Sequence, residues 1–178
     1  MTVSISSQYV GDVNQSLAAF IKNTTYIRSG ASSYSLGTIL SFFPGIVVNL
    51  GYVDNLDNIP LPSLAILPPT VSGGMSEGYG EHLQTISFHY TVNGYVGRQK
   101  SHGDNLAYRD QLAEDLRSLF EDQEYIALKT FDGSSVVSTD GDIGVENFTL
   151  NFIPPAQEPE ASRYRFSFDL DVEYLKKI

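Results

Sequence analysis

The segment RYRFSFDLDVEYLKK, Arg163 to Lys177, alternates between two kinds of side chain almost without a break. Tyr164, Phe166, Phe168, Leu170, Val172 and Tyr174 share one parity, and Arg163, Arg165, Ser167, Asp169, Asp171 and Glu173 share the other. Successive side chains of a strand point to opposite faces, so this pattern specifies a β-strand with one apolar and one charged face. Its twelve alternating residues, Arg163 to Tyr174, extend over roughly 40 Å, about twice the reach of an ordinary strand. A strand of that length must project beyond the layer that covers it or pair with another long strand. Residues 84–96 and 143–153 are the candidates of similar length.

The rest of the chain supplies a sheet and helices to go with it. Gln84 to Val96 alternates, with Ile86, Phe88, Tyr90 and Val92 on one face and Thr85, Ser87, His89 and Thr91 on the other. Glu146 to Ile153 alternates with Phe148, Leu150 and Phe152 expected inward. Ile46 to Tyr52, Leu64 to Leu67 and Tyr125 to Phe131 read as shorter strands, the second fenced by Pro60, Pro62, Pro68 and Pro69. Residues 104–120, DNLAYRDQLAEDLRSLF, carry Tyr108, Leu112, Leu116, Leu119 and Phe120 at helical spacing. Arg109, Asp110, Glu114 and Arg117 fall off that stripe, and Asp104 is the expected N-cap. Residues 12–23 predict a shorter helix capped by Asp12, with Leu17, Phe20 and Ile21 on one face. Residues 24–36 and the glycine-rich TVSGGMSEGYG, residues 70–80, read as loops, while Asp132-Gly133 and Asp140-Gly141 are turn signals.

The order after residue 60 is then strand, strand, helix, strand, strand, strand. It predicts an α+β fold: a mostly antiparallel sheet with one or two helices packed on one face, and a long projecting β-hairpin. A chain of 178 residues fits one domain, with the sheet-plus-helix core over residues 60–178 and residues 1–60 as its N-terminal part.

Charge and composition exclude several functions. Net charge is −10, and the eleven Lys and Arg are scattered; the nearest thing to an internal basic cluster is Arg98 and Lys100, too little for a nucleic-acid footprint. The absence of cysteine removes thiol catalysis, Cys-based zinc sites and disulfides. The most apolar stretch, residues 39–53, is broken by Ser41, Pro44, Gly45, Asn49 and Gly51, and the N-terminus carries no basic and apolar leader pattern. The expectation is a soluble protein with no membrane partner.

Asp169, Asp171 and Glu173 recur at alternate positions, roughly 6.5–7 Å apart. A two-metal site needs acids from converging elements, and no second half is recognisable, so a solvated strand face is the expected reading. Residues 110–124 supply six further acids, expected on a wet helix face. His82, His89 and His102 show no HxH or HExxH spacing. The run from Asp140 to Gly144 lacks the glycine and terminal acid of a calcium loop. The glycines at 73–80 lack a following GK[ST], and no GxSxG occurs. No catalytic residue, cofactor site or metal site is predicted, and the chain is not expected to be an enzyme.

From about residue 60 onward the chain resembles the tail terminator (tail completion) proteins of tailed bacteriophages. The resemblance lies in the order LPSLAI, ISFHYTVNGYVG, DNLAY leading into RDQLAEDLRSLF, IALKTFDG, and two closing strands ending in RYRFSFDLDVEYLKK. It implies a non-catalytic ring subunit, usually a hexamer, that caps the tail tube and joins it to the head–tail connector or stopper protein. It also implies a virion location in the tail or neck after assembly in the host cytoplasm. The acidic balance suits a channel through which DNA passes without being bound specifically. Expected assembly surfaces are Gly73, Gly74, Gly78 and Gly80, Asp132 and Asp140, and the acids Asp169, Asp171 and Glu173. Other readings of the same pattern are a connector, stopper or tail-tube subunit, or a non-viral β-rich module that binds protein or carbohydrate.

Overall fold

In a computed structural model of the chain, the described residues are 9–23, 25–27, 33–35, 47–51, 63–78, 81–97, 105–121, 123–133, 135–153 and 163–177. The elements run α1 (Tyr9–Asn23), β1 (Thr25–Ile27), β2 (Ser33–Ser35), β3 (Val47–Leu50), β4 (Ser63–Ile66), β5 (Thr70–Gly78) and β6 (Glu81–Gly97). They continue through α2 (Asn105–Glu121), β7 (Tyr125–Asp132), β8 (Ser135–Phe152) and β9 (Arg163–Lys177). The architecture is α+β: a mostly antiparallel sheet with two helices on its apolar face.

The alternating C-terminal segment holds the middle of the sheet, in the order β3-β4-β6-β9-β8-β7 with β5 also paired to β6. β9 pairs with β6 along its whole length, from Leu83↔Lys177 to Gly97↔Arg163. On its other side β9 pairs with β8 from Gly144↔Glu173 to Phe152↔Phe166. From Phe166 to Glu173 β9 is flanked on both edges, so its backbone groups there pair within the sheet, while its two ends pair with β6 alone. Among the described strands, only β3 and β4 run parallel.

One cluster of buried apolar side chains joins the two layers. Phe88, Tyr90 and Val92 of β6 and Phe166, Phe168, Leu170 and Val172 of β9 face Leu112, Leu116 and Phe120 of α2 and Val13, Leu17 and Ile21 of α1. Phe120 is the hub, 5.7 Å from Phe20, 5.5 Å from Phe148 and 5.7 Å from Phe168 between ring centroids. Burying each such side chain stabilises the fold by roughly 1.5–3 kcal/mol. The Tyr90 hydroxyl, deep in this core, donates to Asn14 Oδ1 at 2.6 Å, and burial pushes its pKa well above the usual tyrosine value.

The helix α1 also closes an edge. β7 is an outer strand, and the Phe131 N–H donates to Asp12 Oδ1 at 3.0 Å while the Lys129 N–H donates to Ser16 Oγ at 3.0 Å. Ser16 Oγ donates back to the Lys129 carbonyl at 3.4 Å. Asp12 and Ser16 are one helical turn apart and so meet alternate residues of the strand. Because α1 also packs against β3, at the other end of the strand order, the sheet curls around it.

Several expectations are corrected. Asp12 lies inside a helix that begins at Tyr9, where it serves β7 instead of capping α1. Thr25–Ile27 and Ser33–Ser35, within the expected loop 24–36, pair as a small hairpin. Residues 70–78 are not a loop but a strand paired with β6 throughout, from Thr70↔His89 to Gly78↔Glu81. Glycine suppressed the alternation there, and the long neighbour β6 supplied the pairing that side chains did not announce. Asp132-Gly133 does turn the chain, Gly133 taking a φ of 62°. Asp140-Gly141 does not: β8 runs straight through it, and a register shift leaves Asp140 as an extra, bulged residue beside Gly141 at φ 138°. Phe152, expected inward, is 41% exposed at the end of β8. Asp115, one of the acids expected on a wet helix face, is buried, and so is Arg109, expected off the apolar stripe. The expected cap Asp104 lies outside the described residues.

Candidate functional site

The helices cover one side of the sheet, and the other side carries the acids. Register pairs Thr91 with Asp169, His89 with Asp171 and Ser87 with Glu173 across β6 and β9. Each pair is hydrogen-bonded. Thr91 Oγ1 donates to Asp169 Oδ1 at 2.7 Å, and Ser87 Oγ donates to Glu173 Oε1 at 2.9 Å. His89 Nδ1 lies 2.5 Å from Asp171 Oδ1, and Asn147 Nδ2 from β8 donates to Asp171 Oδ2 at 3.4 Å. The pattern follows from antiparallel pairing alone: side chains directly opposite on one face stand about 4.5–5.5 Å apart at Cβ, within reach of a short donor and a carboxylate.

Electrostatics differ along this ladder. The hydrogen bond to Asp171 raises the His89 pKa above 6.5, with the charges of Asp171 and Asp169 adding to it and its slight burial opposing it. His89 and Asp171 are 54% and 41% exposed, so water screens the pair and its contribution to stability is small. Farther along the same face the guanidinium of Arg165 lies over the Tyr95 ring at 5.5 Å. The acids therefore occupy one end of the face and a cation–aromatic contact the other.

A shallow groove of about 330 Å³ runs beside the acids, lined by Thr70 and Ser72 of β5, Ser87 and His89 of β6, Asp171 and Glu173 of β9, and Glu146. Glu146 reaches it because a shift in the β8–β9 register between Val145 and Asn147 leaves it as a bulged residue. Hydroxyls and one imidazole hold the carboxylates in place, and among the described residues no group of three or more His, Asp and Glu is placed to hold a metal ion. Such a face offers fixed negative charge and hydrogen-bond groups to whatever passes or docks.

The predicted assembly residues fall into separate places. Asp169, Asp171 and Glu173 form the ladder. Gly73, Gly74 and Gly78 lie in β5, two strands away, while Gly80 is outside the described residues. Asp132 ends β7 and Asp140 sits at the β8 bulge, on a hairpin beyond Gly144, where the pairing of β8 with β9 stops. Of the three histidines, His89 lies in the ladder, His82 pairs in register with Glu77 toward the end of β5, and His102 is outside the described residues. Sequence reasoning missed Ser87, Thr91, Asn147 and Glu146 as partners of the acids. The signal was available for Ser87 and Thr91, whose outward parity matches that of the acids, once the strand register was known.

Arg109 forms a second polar node, away from the ladder. From α2 it donates to the Ile153 and Arg165 carbonyls at 2.9 and 3.4 Å and through two nitrogens to Asp110 Oδ1 at 2.8 and 2.6 Å. The guanidinium also sits 5.1 Å from the centroid of Phe152, which explains why that ring tolerates its exposed position. The node ties α2 to the end of β8 and the start of β9.

No protein-family model matches the chain, and no curated protein matches it.

Proposed function

We propose that the protein is a structural subunit of a tailed-phage virion, a tail terminator that forms a ring, usually of six copies, at the end of the tail tube. The ring joins the tube protein to the head–tail connector or stopper protein in the neck, after assembly in the host cytoplasm. The observation that carries this reading is the row of Asp169, Asp171 and Glu173 on the sheet face opposite the helices, held by Thr91, His89 and Ser87. Half-exposed acids fixed in a row, in a chain of net charge −10, suit the bore of a channel for DNA. Carboxylates there repel phosphate over about 8 Å at physiological salt and so keep DNA from adhering.

The long projecting hairpin belongs to the same proposal. It is β5–β6, with the end of β9 alongside: past the β8–β9 pairing that stops at Glu173, Tyr174 to Lys177 continue on β6 alone. In the ring this tongue reaches a neighbouring subunit or the tube. The test is to mix purified protein with cognate tail tubes and image them. Rings seated on tube ends support the role, and tubes with bare ends at saturating protein overturn it.

A further inference from the structure

We propose that β5 is a self-pairing edge, through which two copies of the chain join antiparallel about a two-fold axis at Gly74. This contact uses a strand of the hairpin that the tail-joining role places at a neighbour or the tube, but it does not rest on that role.

The other outer strands are guarded. Asp12 and Ser16 occupy the backbone groups of β7, and β3 is a four-residue strand packed against α1. β5 is different. It is nine residues long, pairs with β6 in unbroken register, and among the described residues no strand lies on its other side. β3 flanks β4 only, from Val47↔Ser63 to Leu50↔Ile66, with the Gly51 N–H making one last bond to the Ile66 carbonyl. Among the described residues this cover does not extend along β5. Natural edge strands are blunted by lysine, proline or bulges, and TVSGGMSEG contains none of these. Thr70, Val71, Ser72 and Gly73 are exposed, with Val71 at 45%.

Charge and register select a second copy as the occupant. In a chain of net charge −10, two copies meet most cheaply through a segment of little charge, and β5 carries a single charged residue, Glu77. Full antiparallel overlap of two such strands centres on Gly74 and sets Val71 opposite Glu77 and Ser72 opposite Ser76. The two Glu77 then stand roughly 20 Å apart, beyond a Debye length. Moving the axis to Ser76 would bring them within about 7 Å and lose four of the pairs. Backbone hydrogen bonds provide the attraction, as in other strand additions, and the interface is isologous and self-limiting.

The chain has no cysteine, so single introduced thiols report on this register without background. In purified protein under mild oxidation, Gly74→Cys should give a disulfide-linked species of doubled mass, because the two Cα atoms face each other at a bridgeable distance. Thr70→Cys should not, its copies lying roughly 27 Å apart. Should Gly74→Cys fold poorly, Ser72→Cys mixed with Ser76→Cys makes the same test: the mixture cross-links and neither variant cross-links alone. Equal cross-linking at Thr70 and Gly74, or none in either experiment, overturns the proposal. The tail-joining role stands apart, since rings on tube ends without these cross-links sink only the β5 contact, and cross-links without rings sink only the role.

Discussion

Gly94 is the position where a single methyl group tests the packing of the sheet. It lies in β6 between Leu64 of β4 and Phe166 of β9, and a Cβ built on it would overlap Cζ and Cε1 of the Phe166 ring and lie 2.6 Å from Cε2. Phe166 is fully buried, so the ring has no solvent to move into. Two effects of Gly94→Ala then oppose each other. Removing a glycine from a strand interior stabilises by roughly 0.5–1 kcal/mol. Forcing a ring out of a packed core costs about 1–3 kcal/mol. The overlap wins, for a net loss of about 1–2 kcal/mol, and at ~2–4 °C per kcal/mol for a chain of this length the melting temperature should fall by several degrees. Differential scanning calorimetry or urea unfolding measures it. The double variant Gly94→Ala with Phe166→Leu should lose less than the sum of the singles, since the smaller side chain leaves room for the new methyl. A Gly94→Ala variant as stable as the parent, or more stable, would show that Phe166 does not lie over the glycine.

Other contacts yield checks of the same kind. Asp12→Ala and Ser16→Ala should each cost about 1–3 kcal/mol by leaving β7 amides unsatisfied, with faster hydrogen exchange at Phe131 and Lys129 respectively; unchanged exchange would remove α1 from its edge-closing role. Arg109→Lys keeps the charge but loses the planar fork, so a loss of about 1.5–3 kcal/mol is expected, and a variant of parental stability would show the node to be idle. The His89 pKa is raised, so stability from its pairing with Asp171 is fully present below pH 6.5 and fades as pH climbs through the higher folded-state value. An NMR titration should place the His89 midpoint above 6.5 and Asp171→Asn should bring it down; a midpoint at or below 6.5 in the parent contradicts the pairing.

Alternation made the central strands readable. β9 and most of β6 appear in the sequence as period-two patterns, and the α2 stripe of Leu112, Leu116, Leu119 and Phe120 is buried as its spacing implies. What failed to show did so for identifiable reasons. β5 is a strand because β6 is long enough to template it, and its glycines carry no facing information. Asp140-Gly141 has the composition of a turn, but the same positive φ serves a bulge inside a continuous strand. Arg109 and Asp12 are charged residues whose partners are backbone groups more than forty positions away, at Ile153 and Phe131, so no local pattern announces them. The acidic row was legible as an outward face. Its hydrogen-bonded order was not, because register between β6 and β9 depends on the whole sheet.

In the tail-terminator proposal this acidic sheet face belongs to a ring at the end of a phage tail. Electron microscopy of the purified protein, alone and with cognate tail tubes, tests it most directly. The expected result is rings at the tube ends whose bore is lined by Asp169, Asp171 and Glu173 and is therefore negative. A protein that never seats on tubes, or a ring whose bore is neutral or basic with these acids turned outward, contradicts it.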